Sequence, residues 1–398
     1  MKAKTVRLGE VGEIISGATP RTAVKEFWDG DVPWITPADL SNHEGVYFDG
    51  KLQKITRAGF NSCSAVILPP GSILFSSRAP IGHSAVTAFP LCTNQGFKSV
   101  IPSQNLDPVY GYFALKRLTP SIVAKGRGAT FAEVSKEIME EVEILLPPLP
   151  EQRRIAARLE QADRLRRTRR SALDLADSFL PAAFLEMFGE PASNERGHPL
   201  QPVEELFPTG REGSKCGPFG SALRNDEYTP VGIPVWTMEN IAGGEFREEG
   251  SLYISPAKYD ELKSYTVQNG DILISRAGTV GRMAILATKH ERSIIHSNLV
   301  RLTLDLQRCL PIYFTVLMKY FGSAIGRLKR GAEDAYSFMN TGRISELRIP
   351  VPPLPLQRRF AALVDEHERL RAMQREALRQ AEHLFQTLLH NAFADGAA

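Results

Sequence analysis

The feature that most limits what this chain can fold into is a short stretch that occurs twice. Pro147 to Leu159 reads PPLPEQRRIAARL, and Pro352 to Val364 reads PPLPLQRRFAALV. The copies begin 205 positions apart in a chain of 398 residues. That displacement is of domain scale, far beyond the period of roughly 20 to 50 residues that marks a solenoid. The chain therefore reads as one half repeated.

Each copy opens a helix. Its prolines hold φ near the extended value and deny the residue before them a helical conformation. Runs rich in Ala, Leu, Arg, Glu and Gln follow, almost free of Gly and Pro, and these are strong helix formers. In the first run Ile155, Leu159, Ala162, Leu173, Ala176, Leu180, Ala183 and Met187 keep a 4-3 spacing, with Arg166 and Arg169 filling the two positions where the seam turns polar. In the second, Leu363, His367, Leu370, Gln374, Ala377, Ala381, Leu384 and Leu388 do the same. A period near 3.5 predicts helices that pack along their length on a partner helix. Two amphipathic core helices would show a similar period, but two copies of similar length can serve as each other's partner. The helices are expected over about 151–188, with Pro181 kinking the end, and over about 357–394.

A chain this long exceeds the size at which one core stops growing, so two domains are expected. The repeat places them at 1–146 and 202–351, with the long helices at 147–190 and 352–398 and a polar linker at 191–201. Cys63, Cys92, Cys216 and Cys309 stand far apart with no CxxC or Cys/His cluster, which argues against a zinc site and for a reducing compartment. No leader-like segment or long apolar run appears, so a soluble cytoplasmic protein without membrane contact is expected. The net charge of +3 is too small to imply a polyanionic partner by itself. Its distribution says more: eight arginines (153, 154, 158, 164, 166, 167, 169 and 170) stand against Glu160 and Asp163. This is either a solvated helix face or a set of partners for phosphate or carboxylate.

Both domains have the texture of short strands and turns, an α+β class with mixed sheets and short helices. IPVWTMENI (233–241) answers VPWITPADL (32–40), and GDILISRAGTVG (270–281) answers GSILFSSRAPIG (71–82). Helices expected at Tyr110–Val123 and Pro311–Leu328 also correspond, as do the basic glycine loops at Arg127-Gly128-Ala129 and Arg330-Gly331-Ala332. The frame repeats while the side chains between its anchors differ. Two such scaffolds suit two different tasks, such as reading two unlike segments of a polymer.

Catalytic motifs are missing. Gly210 to Lys215 fails the spacing of a phosphate loop, and Gly278 to Gly281 lacks the third glycine of a dinucleotide fingerprint. The Pro-Pro pairs have no carbonyl side chain before them to hold an amino group, and no HExxH or GxSxG occurs. What remains is a set of basic and amide side chains on loops: Arg78, His83, Asn94, Gln95, Lys125 and Arg127 in the first domain, and Arg224, Arg276, Arg282, His296, Asn298, Lys329, Arg330 and Arg343 in the second. Arginine with guanine and Asn or Gln with adenine are pairings that the major groove favours, so these residues are candidates for DNA contact as a group. Any one of them would also be at home on a solvated surface.

At this point the chain resembles the specificity subunit of type I restriction-modification enzymes. The resemblance spans nearly all of it. The residues that carry it are the turns Ser16-Gly17-Ala18-Thr19-Pro20 and Gly217-Pro218-Phe219-Gly220-Ser221, the G-x-IL-x-S strands, and above all the PPLPEQ[RK]-IA helix start present twice. The second copy departs from that motif at Leu356 and Phe360. The resemblance implies two target-recognition domains reading a bipartite, asymmetric sequence in double-stranded DNA, with the two long helices packed as an antiparallel coiled coil that keeps them apart. It implies that this chain is a non-catalytic subunit. Two methyltransferase subunits would bind S-adenosylmethionine and methylate adenine, and motor-nuclease restriction subunits would use ATP and Mg; no cofactor or metal is expected in this chain. A subunit of a type IIB-like or methylation-only system and a coiled-coil adaptor for proteins are the other readings.

Overall fold

A computed structural model of the protein describes residues 4–78, 80–126, 133–219, 222–276, 281–327 and 341–394. The chain divides into two compact units, one formed by 1–173 with 373–398 and the other by 174–372. The long helices run Leu149–Phe188 and Leu354–Ala392, and each unit takes part of both. Pro181 lies inside the first, which continues for seven residues beyond it to Phe188.

The repeated motif starts each helix as its prolines dictate. The backbone N–H groups of Glu151 and Gln152 donate to the Pro148 carbonyl at 2.9 and 3.1 Å, and those of Leu356 and Gln357 donate to Pro353 at 2.9 and 3.2 Å. The glutamine then turns inward. Gln152 Nε2 donates to the Pro147 and Asn105 carbonyls at 2.8 and 2.9 Å, and its Oε1 accepts the Asp107 N–H at 2.9 Å. Asp107 caps the helix Pro108–Lys125 by accepting from Val109 and Tyr110 N–H, both at 3.0 Å. Gln357 repeats the arrangement, donating to Pro352 and Arg308 at 2.7 and 3.2 Å and accepting from Leu310 N–H at 2.8 Å, one residue before the helix Pro311–Arg327. In this way the motif ties each long helix to the shorter helix of its own unit.

The sheets of the two units share a plan but differ in strand number. In the first, Gly12–Ser16, Lys98–Pro102, Ile73–Phe75, Ser84–Thr87 and Tyr47–Phe48 lie side by side in that order. A three-stranded sheet pairs Trp28–Ile35 antiparallel with Gln53–Ile55 and parallel with Cys92–Thr93. In the second unit the larger sheet is Ser214–Cys216, Leu299–Leu302, Ile272–Ser275 and Met283–Ile285. Its parallel pair is Ile233–Trp236 with Ile294–Ile295. The terminal pairs match as well: Lys4–Arg7 on Glu143–Leu146, and Leu200–Pro202 on Arg348–Pro350.

The long helices pack on each other within each unit, and antiparallel. In the first unit the Arg166 guanidinium lies 4.6 Å from the centre of the Phe385 ring, while Arg170 pairs with Glu382. In the second, the Phe188 ring meets Phe360 at 5.2 Å, Phe179 stacks on His367 at 5.4 Å, and Arg371 pairs with Asp177. Numbers rise along one helix as they fall along the other. The first core gathers Leu159, Ala162, Phe385 and Leu389 against Tyr110 and Phe113; the second gathers Leu180, Phe184, Phe188, Phe360 and Val364 against Tyr313 and Phe314.

The buried line of the second helix is Phe360, Val364, His367, Ala381, Phe385 and Leu389. The 4-3 spacing had put Leu370 and Leu384 on it, but they are 46% and 45% exposed. A straight helix turns every 3.6 residues, so a frame of 3.5 drifts off the contact face within a few turns. Leu363 and Leu388 flank the line, half-buried, as do Ile155 and Leu173 on the first helix.

Candidate nucleic-acid interface

Three segments converge in each unit on one glycine. In the first unit Gly17 N–H donates to the Phe97 carbonyl at 3.4 Å and Ala18 N–H to Thr93 at 2.9 Å. A Cβ on Gly17 would stand 1.9 Å from the Asn94 carbonyl oxygen, so no other residue allows the approach. The third segment arrives through Ser77, whose N–H donates to Gly96 at 2.8 Å. The second unit repeats this: Gly217 N–H to Leu299 at 3.0 Å, Arg276 N–H to Asn298 at 3.0 Å, and a Gly217 Cβ would fall 2.1 Å from the His296 carbonyl oxygen. The loop behind is held alike. Ser76 Oγ accepts His83 N–H at 2.8 Å, and Ser275 Oγ accepts Arg282 N–H at 3.0 Å.

The side chains on this common frame differ. Thr19 Oγ1 donates to Gln95 Oε1 in the first unit, fixing an exposed amide. Asn94 is committed to its own turn, its Oδ1 accepting Gly96 N–H at 2.8 Å. At the corresponding places in the second unit, Phe219 stands where Thr19 does and His296 where Asn94 does. The Arg276 guanidinium lies over the Phe219 ring at 4.5 Å, and His296 Nδ1 accepts Asn298 N–H at 3.3 Å. The pairing of the loops also shows that Arg276 corresponds to Ser77, while Arg78 stands one residue further on, half-buried.

Other sequence candidates lie elsewhere. His83 turns its ring to the Leu40 carbonyl, with Nδ1 at 3.2 Å, and lines a cleft of about 210 Å³ with Tyr112, Lys116, Arg166 and Arg170. His43 lines the same cleft, and burial pushes its imidazole pKa below the ordinary value. Arg282 and Lys125 are exposed. Arg224 is engaged with Asp226 and Glu227 at 3.6 and 3.9 Å. Arg127, Lys329 and Arg330 fall outside the described residues, and Arg343 is placed only as part of the helix Thr341–Glu346.

Much of the arginine run has carboxylate partners. Asp163, fully buried, accepts from Arg166 at 3.0 Å and Arg167 at 2.8 Å; Arg170 faces Glu44 at 3.8 Å as well as Glu382; Arg154 pairs with Glu151. Arg154, Arg166 and Arg167 pair within their own helix, and of these ion pairs only those of Arg170 reach the second long helix and, through Glu44, the domain. Sequence reasoning did not single out Thr19 or Phe219 as site residues, although each follows its frame glycine by two positions. It also read Gln152 and Gln357 only as part of a helix start, because a glutamine beside two arginines looks like solvent-facing surface.

The same frame is thus built twice in one chain, with unlike side chains at its two junctions. The family model for the type I restriction modification DNA specificity domain matches residues 2–174 and again 217–383. The chain belongs to that family. It is similar to the type I restriction enzyme MjaIX specificity subunit of Methanocaldococcus jannaschii, at 28% identity over 90% of this chain and 85% of that one. It also resembles the EcoR124I/EcoR124II specificity subunit of Escherichia coli, at 31% identity over 40% of each chain. Among solved structures, the type I restriction-modification S subunit from M. genitalium matches with a TM-score of 0.58 at 16% identity, covering 98% of this chain and 96% of that one. A chain from a structure concerned with assembly and conformational transition of the type I R-M system matches with a TM-score of 0.60 at 18% identity, over 98% and 97%. Among the described residues no helix is long and apolar enough to cross a membrane, and no group of three His, Cys, Asp or Glu is placed to hold a metal.

Proposed function

We propose that this chain reads a bipartite, asymmetric DNA sequence on behalf of partner subunits that carry the chemistry. The observation that carries the reading is the junction built twice on one hydrogen-bond frame, with Thr19, Asn94 and Gln95 in one unit and Phe219, Arg276, His296 and Asn298 in the other. An identical frame gives both heads the same approach to a duplex, and unlike side chains give each its own preference among base edges. Arg78, next to Ser77 on the junction loop, and the exposed Arg282 and Lys125 serve as phosphate or base contacts. The chain itself performs no reaction; methyltransferase subunits bring S-adenosylmethionine, and a motor-nuclease brings ATP and Mg.

The long helices carry the docking faces for those partners. Leu175 and Met373, 73% and 61% exposed on them, are apolar side chains that a docked subunit would cover. The whole assembly would work in the cytoplasm, where its DNA is. The test is co-expression with a methyltransferase subunit encoded beside it, followed by mapping of N6-methyladenine across host DNA. A two-part motif with unlike halves and an unspecified spacer is the expected result. An adaptor for proteins would leave the DNA unmethylated and show no salt-sensitive affinity for a duplex.

A further inference from the structure

The second junction contains two polar atoms out of reach of solvent with nothing to bond. Arg276 Nη1 and Asn298 Oδ1 are both buried and both lack a hydrogen-bond partner. One is a donor and the other an acceptor, and the backbone bond from Arg276 N–H to the Asn298 carbonyl pins the two residues side by side. Buried groups of this kind are uncommon in folded proteins, because each gives up its bonds to water and gains none.

The fold does not need the arginine. In the first unit Ser77 makes the same backbone bond, to Gly96, from the same place in the frame. Arg276 is therefore an addition to the scaffold. Its guanidinium lies over the ring of Phe219, a residue that is 57% exposed. A stacked guanidinium keeps its fork of donors oriented, which suits bidentate recognition and contributes little to a loose contact with phosphate.

We propose that Arg276 and Asn298 together read one G·C base pair of the half-site recognised by the second unit, with Phe219 as the platform. In the major groove guanine presents two acceptors, N7 and O6, and its cytosine presents the N4 amino donor. A guanidinium fork beside an amide oxygen is the complement of that pattern. Nη1 and Oδ1 are closed off from solvent in the free protein, so both side chains must turn toward the groove to meet the pair, and a matching pair then supplies the bonds that these atoms lack. An A·T pair leaves the fork with a single acceptor on adenine and places the adenine amino donor against it.

This inference rests on the proposed reading of the chain as a DNA specificity subunit, and the experiment separates the two. The complex with the methyltransferase subunit is prepared with the wild-type chain and with Arg276→Ala, Arg276→Lys and Asn298→Ala. Methylated motifs are mapped, and binding is measured on duplexes in which each base pair of the second half-site is replaced in turn. The wild type should discriminate about 10- to 100-fold at one G·C pair that Arg276→Ala no longer distinguishes, with every other position and the first half-site unchanged. Arg276→Lys keeps the charge and loses the fork, so it should relax the same position, and it serves if the alanine variant does not fold. Asn298→Ala should weaken the same pair and no other. A uniform loss across all positions would make Arg276 a phosphate or structural residue, and an unchanged motif would make it a bystander; either overturns the inference alone. A wild-type complex that yields no two-part motif overturns the reading of function and this inference with it.

Discussion

Gln152 and Gln357 occupy the same place in the two copies of the repeat and make the same three hydrogen bonds. Each donates to the carbonyl at the head of its own motif, at 2.8 and 2.7 Å, and each bonds two backbone groups that precede its unit's shorter helix. Both side chains are buried, at 1% and 0% exposure. The repeat is preserved here because the joint between long helix and domain is the same mechanical part used twice.

Removing the joint should therefore be costly. Gln152→Ala leaves one backbone N–H and two carbonyls of the first unit without partners, and an unsatisfied buried group costs about 1–3 kcal/mol. We expect a total loss of about 2–4 kcal/mol after relaxation and partial access of water, read as a lower urea midpoint with an unchanged slope. Gln357→Ala should behave alike. Gln152→Glu would set a buried carboxylate oxygen against the Pro147 and Asn105 carbonyls, so at neutral pH it should cost more than the alanine variant.

The prolines and the domain-scale displacement make this architecture legible in the sequence. The shorter helices came within a few residues, because Tyr110 and Tyr313 lie in clear apolar runs. What was not legible depended on contacts distant in sequence. Gln152 reads as a surface residue until Asp107 and Asn105 are known to lie beside it. Nothing in the local sequence announces that the Asn94 Oδ1 closes a turn on Gly96. Nor does it announce that the His83 ring lies against the Leu40 carbonyl. Of the arginine run, no periodicity announces that Asp163 is fully buried and takes two of its members.

The glycines at the two junctions make a second expectation. A methyl group at Gly17 or Gly217 would overlap a carbonyl oxygen of the neighbouring segment, so Gly17→Ala and Gly217→Ala must push that segment away. Overpacking of this kind costs about 1–3 kcal/mol. Because the segment carries Gln95 in one case and Asn298 in the other, each substitution should also abolish recognition of one half-site. Thermal unfolding and methylation mapping on the same variants check both effects.

Alkaline pH should unfold the protein through its two joint tyrosines. Tyr110 and Tyr313 donate to the Leu145 and Pro350 carbonyls at 2.7 and 2.8 Å, and burial raises both pKa values above that of a free phenol. A folded pKa raised above the unfolded one means stability intact below the unfolded value, about 10 for tyrosine, and lost as pH rises from there toward the folded value. Burial also pushes the Cys92 thiol up to about 11 and Cys309 up to about 12, so the decline begins earlier, from the ordinary thiol range near about 8.5. The unfolding temperature should fall steadily over this window. Tyr313→Phe should flatten the upper part of the decline while costing about 1 kcal/mol at neutral pH for the lost hydrogen bond.

The central claim is that two heads on one frame read two halves of a target independently. Exchanging residues 1–146 for the corresponding segment of a relative with a different target, and mapping N6-methyladenine made by the resulting complex, tests it most directly. The account predicts a motif in which one half takes the relative's sequence and the other half is unchanged. A complex that methylates DNA with both halves altered, or with neither altered, would contradict it.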